Sequence, residues 1–129
     1  MLEFSISNDI SHFVEQFNKE KDIFAYVLVN DEEKAIGLIQ FQKIELVNSL
    51  LKEELGFVRE FWIASESRKK GYGSKLLKKA EDYLSQLGME SVILFSRSEA
   101  ETFYQKQGYR KRKDMTSCNG MAVWEKTKK

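Results

Sequence analysis

The chain has 129 residues, of which 42% are hydrophobic and 32% charged, with a formal net charge of +1; this is the length of one ordinary domain and the balance of a folded chain rather than a disordered one. A single cysteine, Cys118, and a single histidine, His12, exclude an internal disulfide framework, a Cys-rich zinc site and a histidine-based metal cluster, so no metal is expected. No apolar run approaches the roughly 20 residues of a membrane span and the N-terminus lacks a signal-peptide pattern, so the expected location is cytoplasmic, with no membrane partner.

In chain order, Leu2–Ile6 reads as a short strand, followed by a helix that Asn8 or Asp9 can cap, with Ile10, Phe13, Val14 and Phe17 on one face. Ile23–Val29 is rich in β-branched and aromatic residues. The polar turn Asn30-Asp31-Glu32-Glu33 joins it to a second strand, Ala35–Phe41, as an antiparallel hairpin. Val47–Leu55 fits either a short helix or an ordered loop, and Phe57–Ala64 is a strong strand. Leu76, Leu77, Ala80, Tyr83, Leu84 and Leu87 mark one face of a helix that Gly88 terminates. Ser91–Phe95 is an apolar strand of the kind buried on both faces. Glu99–Gln107 reads as a short helix ended by Gly108. Tyr109–Met115 and Met121–Lys126 close the chain as strands around the turn Ser117-Cys118-Asn119-Gly120. The order implies an α/β fold: residues 1–129 as one domain, with a mixed sheet of about six or seven strands flanked on both faces by three or four helices.

The near-neutral charge conceals a division. Residues 1–60 carry 12 acidic and 6 basic side chains, whereas residues 61–129 carry 8 acidic and 15 basic. A basic second half suggests an anionic partner, although charge runs are also ordinary solvated faces.

The stretch Arg68-Lys69-Lys70-Gly71-Tyr72-Gly73-Ser74-Lys75 follows a strong strand and opens an amphipathic helix. Its two glycines permit a tight turn and close approach to a ligand. The free N–H groups of the first helical turn, backed by the helix dipole and four nearby cations, suit a phosphate. The spacing matches neither a Walker A loop nor the dinucleotide fingerprint, where Leu76 stands in place of the third glycine.

What the pattern R-x-x-G-x-G at a strand-to-helix junction resembles is the GNAT superfamily of acyl-CoA-dependent N-acyltransferases. A second match strengthens the resemblance: Ala100-Glu101-Thr102-Phe103-Tyr104-Gln105-Lys106-Gln107-Gly108-Tyr109 is similar to that family's A-x-x-F-Y-x-K-x-G-F/Y. The family's usual proline before the arginine is replaced here by Ala64-Ser65-Glu66-Ser67, and its asparagine before the alanine by Ser96, Arg97 and Ser98; whether side chains 96–98 touch coenzyme A stays open.

The resemblance implies acetyl-CoA as co-substrate, its pyrophosphate held by the main chain from Arg68 through Lys69, Lys70, Gly71, Tyr72 and Gly73 to Ser74. It implies that pantetheine lies along the strand carrying Phe61 and Ile63, where a main-chain N–H polarises the thioester carbonyl. Tyr104 is implied as the general acid that protonates the departing thiolate; its spacing alone would equally fit an aromatic packed beside Phe103. Glu60, on the same strand, is the candidate base for the amine, with a solvent-facing glutamate or a water-mediated base as alternatives. Cys118 has no histidine beside it and reads as a chance thiol, His12 as an exposed side chain, and Trp62 and Trp124 as core or rim aromatics. Arg110-Lys111-Arg112-Lys113 serves either an anion, the 3′-phosphate of coenzyme A included, or protection of a sheet edge.

The expected function is therefore transfer of an acetyl group from acetyl-CoA directly to an amine acceptor, with a small molecule favoured over a protein amine because the chain is short. The alternative from another class is a non-catalytic CoA-binding sensor or interaction module. Nucleic acid is not an expected partner, because the overall charge is far from strongly basic. Family members often form dimers, so a homodimer stays open.

Overall fold

The computed structural model describes residues 3–5, 12–18, 23–47, 52–113 and 121–127. Strands β1 (Glu3–Ser5), β2 (His12–Asn18), β3 (Ile23–Val29), β4 (Ala35–Val47) and β5 (Lys52–Ile63) precede helix α1 (Tyr72–Gln86). Strand β6 (Ser91–Ser96), helix α2 (Glu101–Lys106), and strands β7 (Arg110–Lys111) and β8 (Ala122–Thr127) follow it. One mixed sheet has the order β1-β2-β3-β4-β5-β6-β8-β7. Every neighbouring pair is antiparallel except β5 and β6, whose parallel alignment α1 makes possible by crossing between them.

The α/β class holds, and so do the strand Ile23–Val29 and its hairpin with the strand from Ala35; within the first half two segments differ from the sequence reading. Residues 12–18 form a strand paired with β3 from His12↔Val29 to Asn18↔Ile23, not a helix. Phe13, Val14 and Phe17 fit a helical face, but over so short a run they fit a strand as well, and the free edge of β3 supplies the partner that decides it. The described ends of the ambiguous segment 47–55 are also strand: β4 and β5 make one long hairpin whose last pair is Val47↔Lys52. The tight turn 117–120, Cys118 included, lies outside the described residues, as do 114–115 of the strand expected over 109–115; of its described part, only Arg110–Lys111 are strand.

Among the described residues there are two α-helices, fewer than the three or four expected, and both cover the same face of the sheet. Leu76, Leu77, Ala80 and Leu84 of α1 and Tyr104 of α2 share one core with Leu28, Ile39, Phe41, Val58, Leu94 and Trp124 of the strands. A smaller cluster of Leu55, Ile93 and Val123, joined by Ile44 and Phe57, occupies the opposite face. The close fit of α1 on the sheet depends on Gly56, where a Cβ would stand 2.5 Å from Leu84 Cδ1. Among the described residues no helix is long and apolar enough to cross a membrane.

An irregularity in β5 prepares the site. Gln40 pairs with Glu60 and Phe41 with Val58, leaving Arg59 as the extra residue of a bulge. The bulge resets the alternation, so Phe61 and Ile63 join Val58 against the α1 core while Glu60 and Trp62 turn to the other face. Without it, Glu60 would point into apolar packing.

Candidate active site

Strands β5 and β6 are in register only at Gly56↔Val92 and Phe57↔Ile93. Beyond that point β5 continues to Ile63 and β6 to Ser96 without pairing, so the sheet opens. A cleft of about 740 Å³ borders this open edge of β5. Phe61, Trp62 and Ile63 line one side; Ser67, Arg68, Lys69 and Gly71 come from the following loop. Tyr72, Gly73 and Ser74 are the first turn of α1, and Thr102, Phe103, Lys106 and Gln107 come from α2 and its end.

The loop's shape follows from a few local bonds. Ala64 N–H donates to Ile36 O at 2.8 Å, fixing the end of β5 to β4. Ser65–Ser67 form one 3₁₀ turn with Ser67 buried. Arg68 Nε then donates back to Ile63 O at 3.0 Å, so this guanidinium braces the loop against the strand it left. Lys69 and Gly71 both have left-handed backbone, φ +66° and +81°, on either side of Lys70. Glycine takes that conformation freely; for lysine it is uncommon and strained, a feature that concentrates at ligand sites.

The first intrahelical bond of α1 runs from Lys75 N–H to Gly71 O at 3.3 Å, so the amides of Tyr72, Gly73 and Ser74 have no acceptor within the helix. No side chain caps them and no acidic residue sits in the first turn. Three bare donors and the positive end of a 15-residue helix therefore face a cleft that Arg68, Lys69 and Lys106 also line. Anions are favoured there.

At Gly73 a Cβ would lie 3.5 Å from Phe103 Cζ and 3.7 Å from Phe61 Cζ, ordinary contact distances. Glycine is thus not required by packing at this position; its absent side chain leaves open space in the cleft between two rings whose centroids are 6.0 Å apart. Gln107 Nε2 donates to Ser74 Oγ at 3.0 Å and links the end of α2 to this turn.

Of the residues singled out from sequence, Phe61, Ile63, Arg68, Lys69, Gly71, Tyr72, Gly73 and Ser74 all line the cleft; Lys70 is exposed and outside the lining. Tyr104 is 9% exposed and packs edge-on between the rings of Phe103 (5.2 Å) and Tyr109 (5.8 Å), next to the lining but not in it. Among the described residues its hydroxyl makes no hydrogen bond, and that oxygen is not sealed from solvent. Burial pushes its phenol up to about 12. Glu60 is exposed opposite Gln40 in the ladder, outside the lining of the cleft. Sequence reasoning missed Trp62, Ser67, Thr102, Phe103, Lys106 and Gln107 as lining residues. For α2 the signal was available, since Thr102, Phe103, Lys106 and Gln107 recur at the three- and four-residue spacing of one helical face.

The fold and the cleft define an α/β protein with a groove, lined by cations and an uncapped helix N-terminus, at the point where two parallel strands part. The chain belongs to the GNAT acetyltransferase family, whose model matches residues 2–109. No curated protein matches the sequence. Similar solved structures include the PaiA N-acetyltransferase of Thermoplasma acidophilum in complex with coenzyme A: 20% identity over 84% of this chain and 63% of that one, TM-score 0.67. A GNAT-family acetyltransferase of Staphylococcus aureus Mu50 is 18% identical over 86% of this chain and 71% of its own, TM-score 0.69. Arabidopsis thaliana NAA60 in complex with a bisubstrate analogue is 15% identical over 84% and 77%, TM-score 0.68. The chain thus spans less than two thirds of the Thermoplasma protein, and at these identities the likeness is one of fold.

Proposed function

We propose that residues 1–129 act as one N-acetyltransferase domain that passes an acetyl group from acetyl-CoA directly to the primary amine of a small molecule. The observation that carries this reading is the first turn of α1: three uncapped amides beside two left-handed residues and a braced arginine, opening onto a cleft that starts where β5 and β6 separate. The amides of Tyr72, Gly73 and Ser74 would hold the pyrophosphate, with Lys69 and Lys106 adding charge. Phe61, Ile63 and Phe103 give the apolar wall that a pantetheine chain needs.

When bound, acetyl-CoA supplies the activated acyl group and a thiol as leaving group. A main-chain N–H among Phe61–Ile63, on the strand edge no longer paired to β6, faces the carbonyl oxygen as negative charge develops there. The amine nitrogen bonds to the acyl carbon as the carbon–sulfur bond breaks. An amine that arrives as a cation first loses one proton to water so that its lone pair can attack; Tyr104 Oη then gives its proton to the sulfur, Glu60 takes the second proton from the nitrogen, and both side chains return to their starting state by exchange with water. Two features of Tyr104 support its part. Its hydroxyl has no competing hydrogen bond among the described residues, and its phenol, like any tyrosine's, holds its proton at neutral pH; burial raises its pKa and makes it a weaker donor. Glu60, exposed on the same face as Trp62, suits an acceptor that arrives as a cation. The same uncommitted hydroxyl favours turnover over a purely sensing role.

The test is a screen of thiol release from acetyl-CoA across small primary amines, with the N-terminal amines and lysines of peptides as a second panel. Release that depends on a small amine and falls in Tyr104→Phe is expected. Tight CoA binding without transfer to any amine, unchanged in Tyr104→Phe, would replace the enzyme by a sensor.

A further inference from the structure

Tyr104 is held by more than its own helix. After α2 the chain reverses at Gly108 (φ +92°), and the N–H of Tyr109 returns to Tyr104 O at 3.0 Å. The ring of Tyr109 stands edge-on to that of Tyr104, at 5.8 Å and 70°. Its far end is fixed in turn: Tyr109 Oη donates to Glu81 Oε2 of α1 at 2.7 Å, and the other oxygen of that carboxylate takes Lys126 Nζ of β8 at 3.1 Å. Lys126 also lies over the Tyr109 ring, 5.9 Å from its centroid, and its stem covers the turn, where a Cβ on Gly108 would be 3.4 Å from Lys126 Cε. The Glu81 side chain is only 11% exposed.

The short charge-assisted hydrogen bond between Tyr109 and Glu81 is largely buried, where such a bond is strong and directional, while the Lys126 side chain that pairs with Glu81 is 35% exposed. Holding three elements together could be done by apolar packing alone. A tyrosine hydroxyl clamped to a carboxylate on another helix adds a fixed angle for the ring, and that ring is one wall of the Tyr104 pocket. We infer that Glu81 and Tyr109 are positioning residues for the reaction: the Lys126–Glu81–Tyr109 chain sets the orientation of the Tyr104 ring and thereby the aim of its hydroxyl. The inference rests on the reading of Tyr104 as general acid. Neither Glu81 nor Tyr109 lines the cleft, and the ring contact of Tyr109 with Tyr104 is the route by which they would act on the chemistry.

A double-mutant cycle tests this with the full chain and an amine found active in the screen. Tyr109→Phe keeps the ring and removes only the clamped hydroxyl; kcat is expected to fall about tenfold, a fraction of what general-acid catalysis is worth, with KM for acetyl-CoA unchanged. In a Tyr104→Phe background the same change is expected to cost nothing further, because residues that act through one group are not additive. Glu81→Ala should reproduce the loss and answers the question if Tyr109→Phe fails to fold. Glu81→Gln, whose amide oxygen still accepts from Tyr109, should restore most of it. Equal losses in both backgrounds, or no loss in Tyr109→Phe and Glu81→Ala while Tyr104→Phe is impaired, would overturn the inference and leave the general acid standing. Full activity in Tyr104→Phe would remove the general acid and this inference with it.

Discussion

Gln107 Nε2 and Ser74 Oγ are 3.0 Å apart, and through that bond the end of α2 holds the first turn of α1, the same turn whose amides open onto the cleft. The two residues are 33 apart in sequence and belong to the two motifs by which the chain resembles its family. Gln107→Ala is expected to cost about 1 kcal/mol of stability, the net worth of one partly buried hydrogen bond. Its larger effect should fall on the cofactor: the rise in thermal midpoint on adding CoA, which measures binding to the folded state, should shrink relative to the parent. An unchanged CoA response in a correctly folded Gln107→Ala would mean that the bond does not shape the phosphate turn.

Two glycines make opposite predictions for the same substitution. At Gly56 a Cβ would stand 2.5 Å from Leu84 Cδ1, so Gly56→Ala overpacks the α1–sheet contact and should destabilise by about 1–3 kcal/mol, read from denaturant melts. At Gly73 the added methyl makes ordinary contacts, so Gly73→Ala should gain up to about 1 kcal/mol from helix propensity while weakening the CoA-induced thermal shift. A Gly73→Ala variant that binds CoA like the parent would show that the space beside Phe61 and Phe103 is not used by the ligand.

Local pattern made residues 57–111 readable, as it did the hairpin of Ile23–Val29 with the strand from Ala35, and it failed at 12–18 and 47–55 for identifiable reasons. The strand Phe57–Ile63, the apolar face of α1 and the stops at Gly88 and Gly108 each depend on neighbours in sequence, and the turn into α1 is announced by Gly71 and Gly73. Lys52-Glu53-Glu54 has no intrinsic preference for strand. It extends β5 because it pairs with the end of β4, up to Val47↔Lys52, and Glu53 also meets Arg112 (2.9 Å), a partner 59 residues away. The bulge at Arg59 leaves no mark in composition, yet it decides that Phe61 and Ile63 rather than Glu60 face the core. The left-handed backbone at Lys69 was equally hidden, since lysine rarely adopts it.

The brace from Arg68 Nε to Ile63 O gives this arginine a role separate from its charge. Arg68→Lys retains the charge and loses the planar group that bonds the strand end while facing the cleft. The expected result is a several-fold weaker CoA affinity by calorimetry, with little change in the melting temperature of the free protein, because the bond is solvent-exposed. If Arg68→Lys equals the parent and only Arg68→Ala is impaired, charge rather than loop geometry is what the position supplies.

The raised pKa of Tyr104 predicts how stability and activity part at high pH. Burial lifts its phenol from 10.0 to about 12, so the folded protein keeps this proton over a range where the unfolded chain releases it. The associated stability is fully present below pH 10 and is lost as pH rises through about 12. Tyr109, raised in the same direction by burial and by Glu81, adds to the loss. Tyr104→Phe carries no proton there, so its stability should fall less steeply than the parent's between pH 10 and pH 12 in denaturant titrations. Activity behaves differently: if Tyr104 is the general acid proposed, it stays protonated below pH 10, so any alkaline decline in kcat there must come from another group and should survive, at lower absolute rate, in Tyr104→Phe. A decline that disappears in Tyr104→Phe would mean that the phenol titrates far below the value its burial imposes.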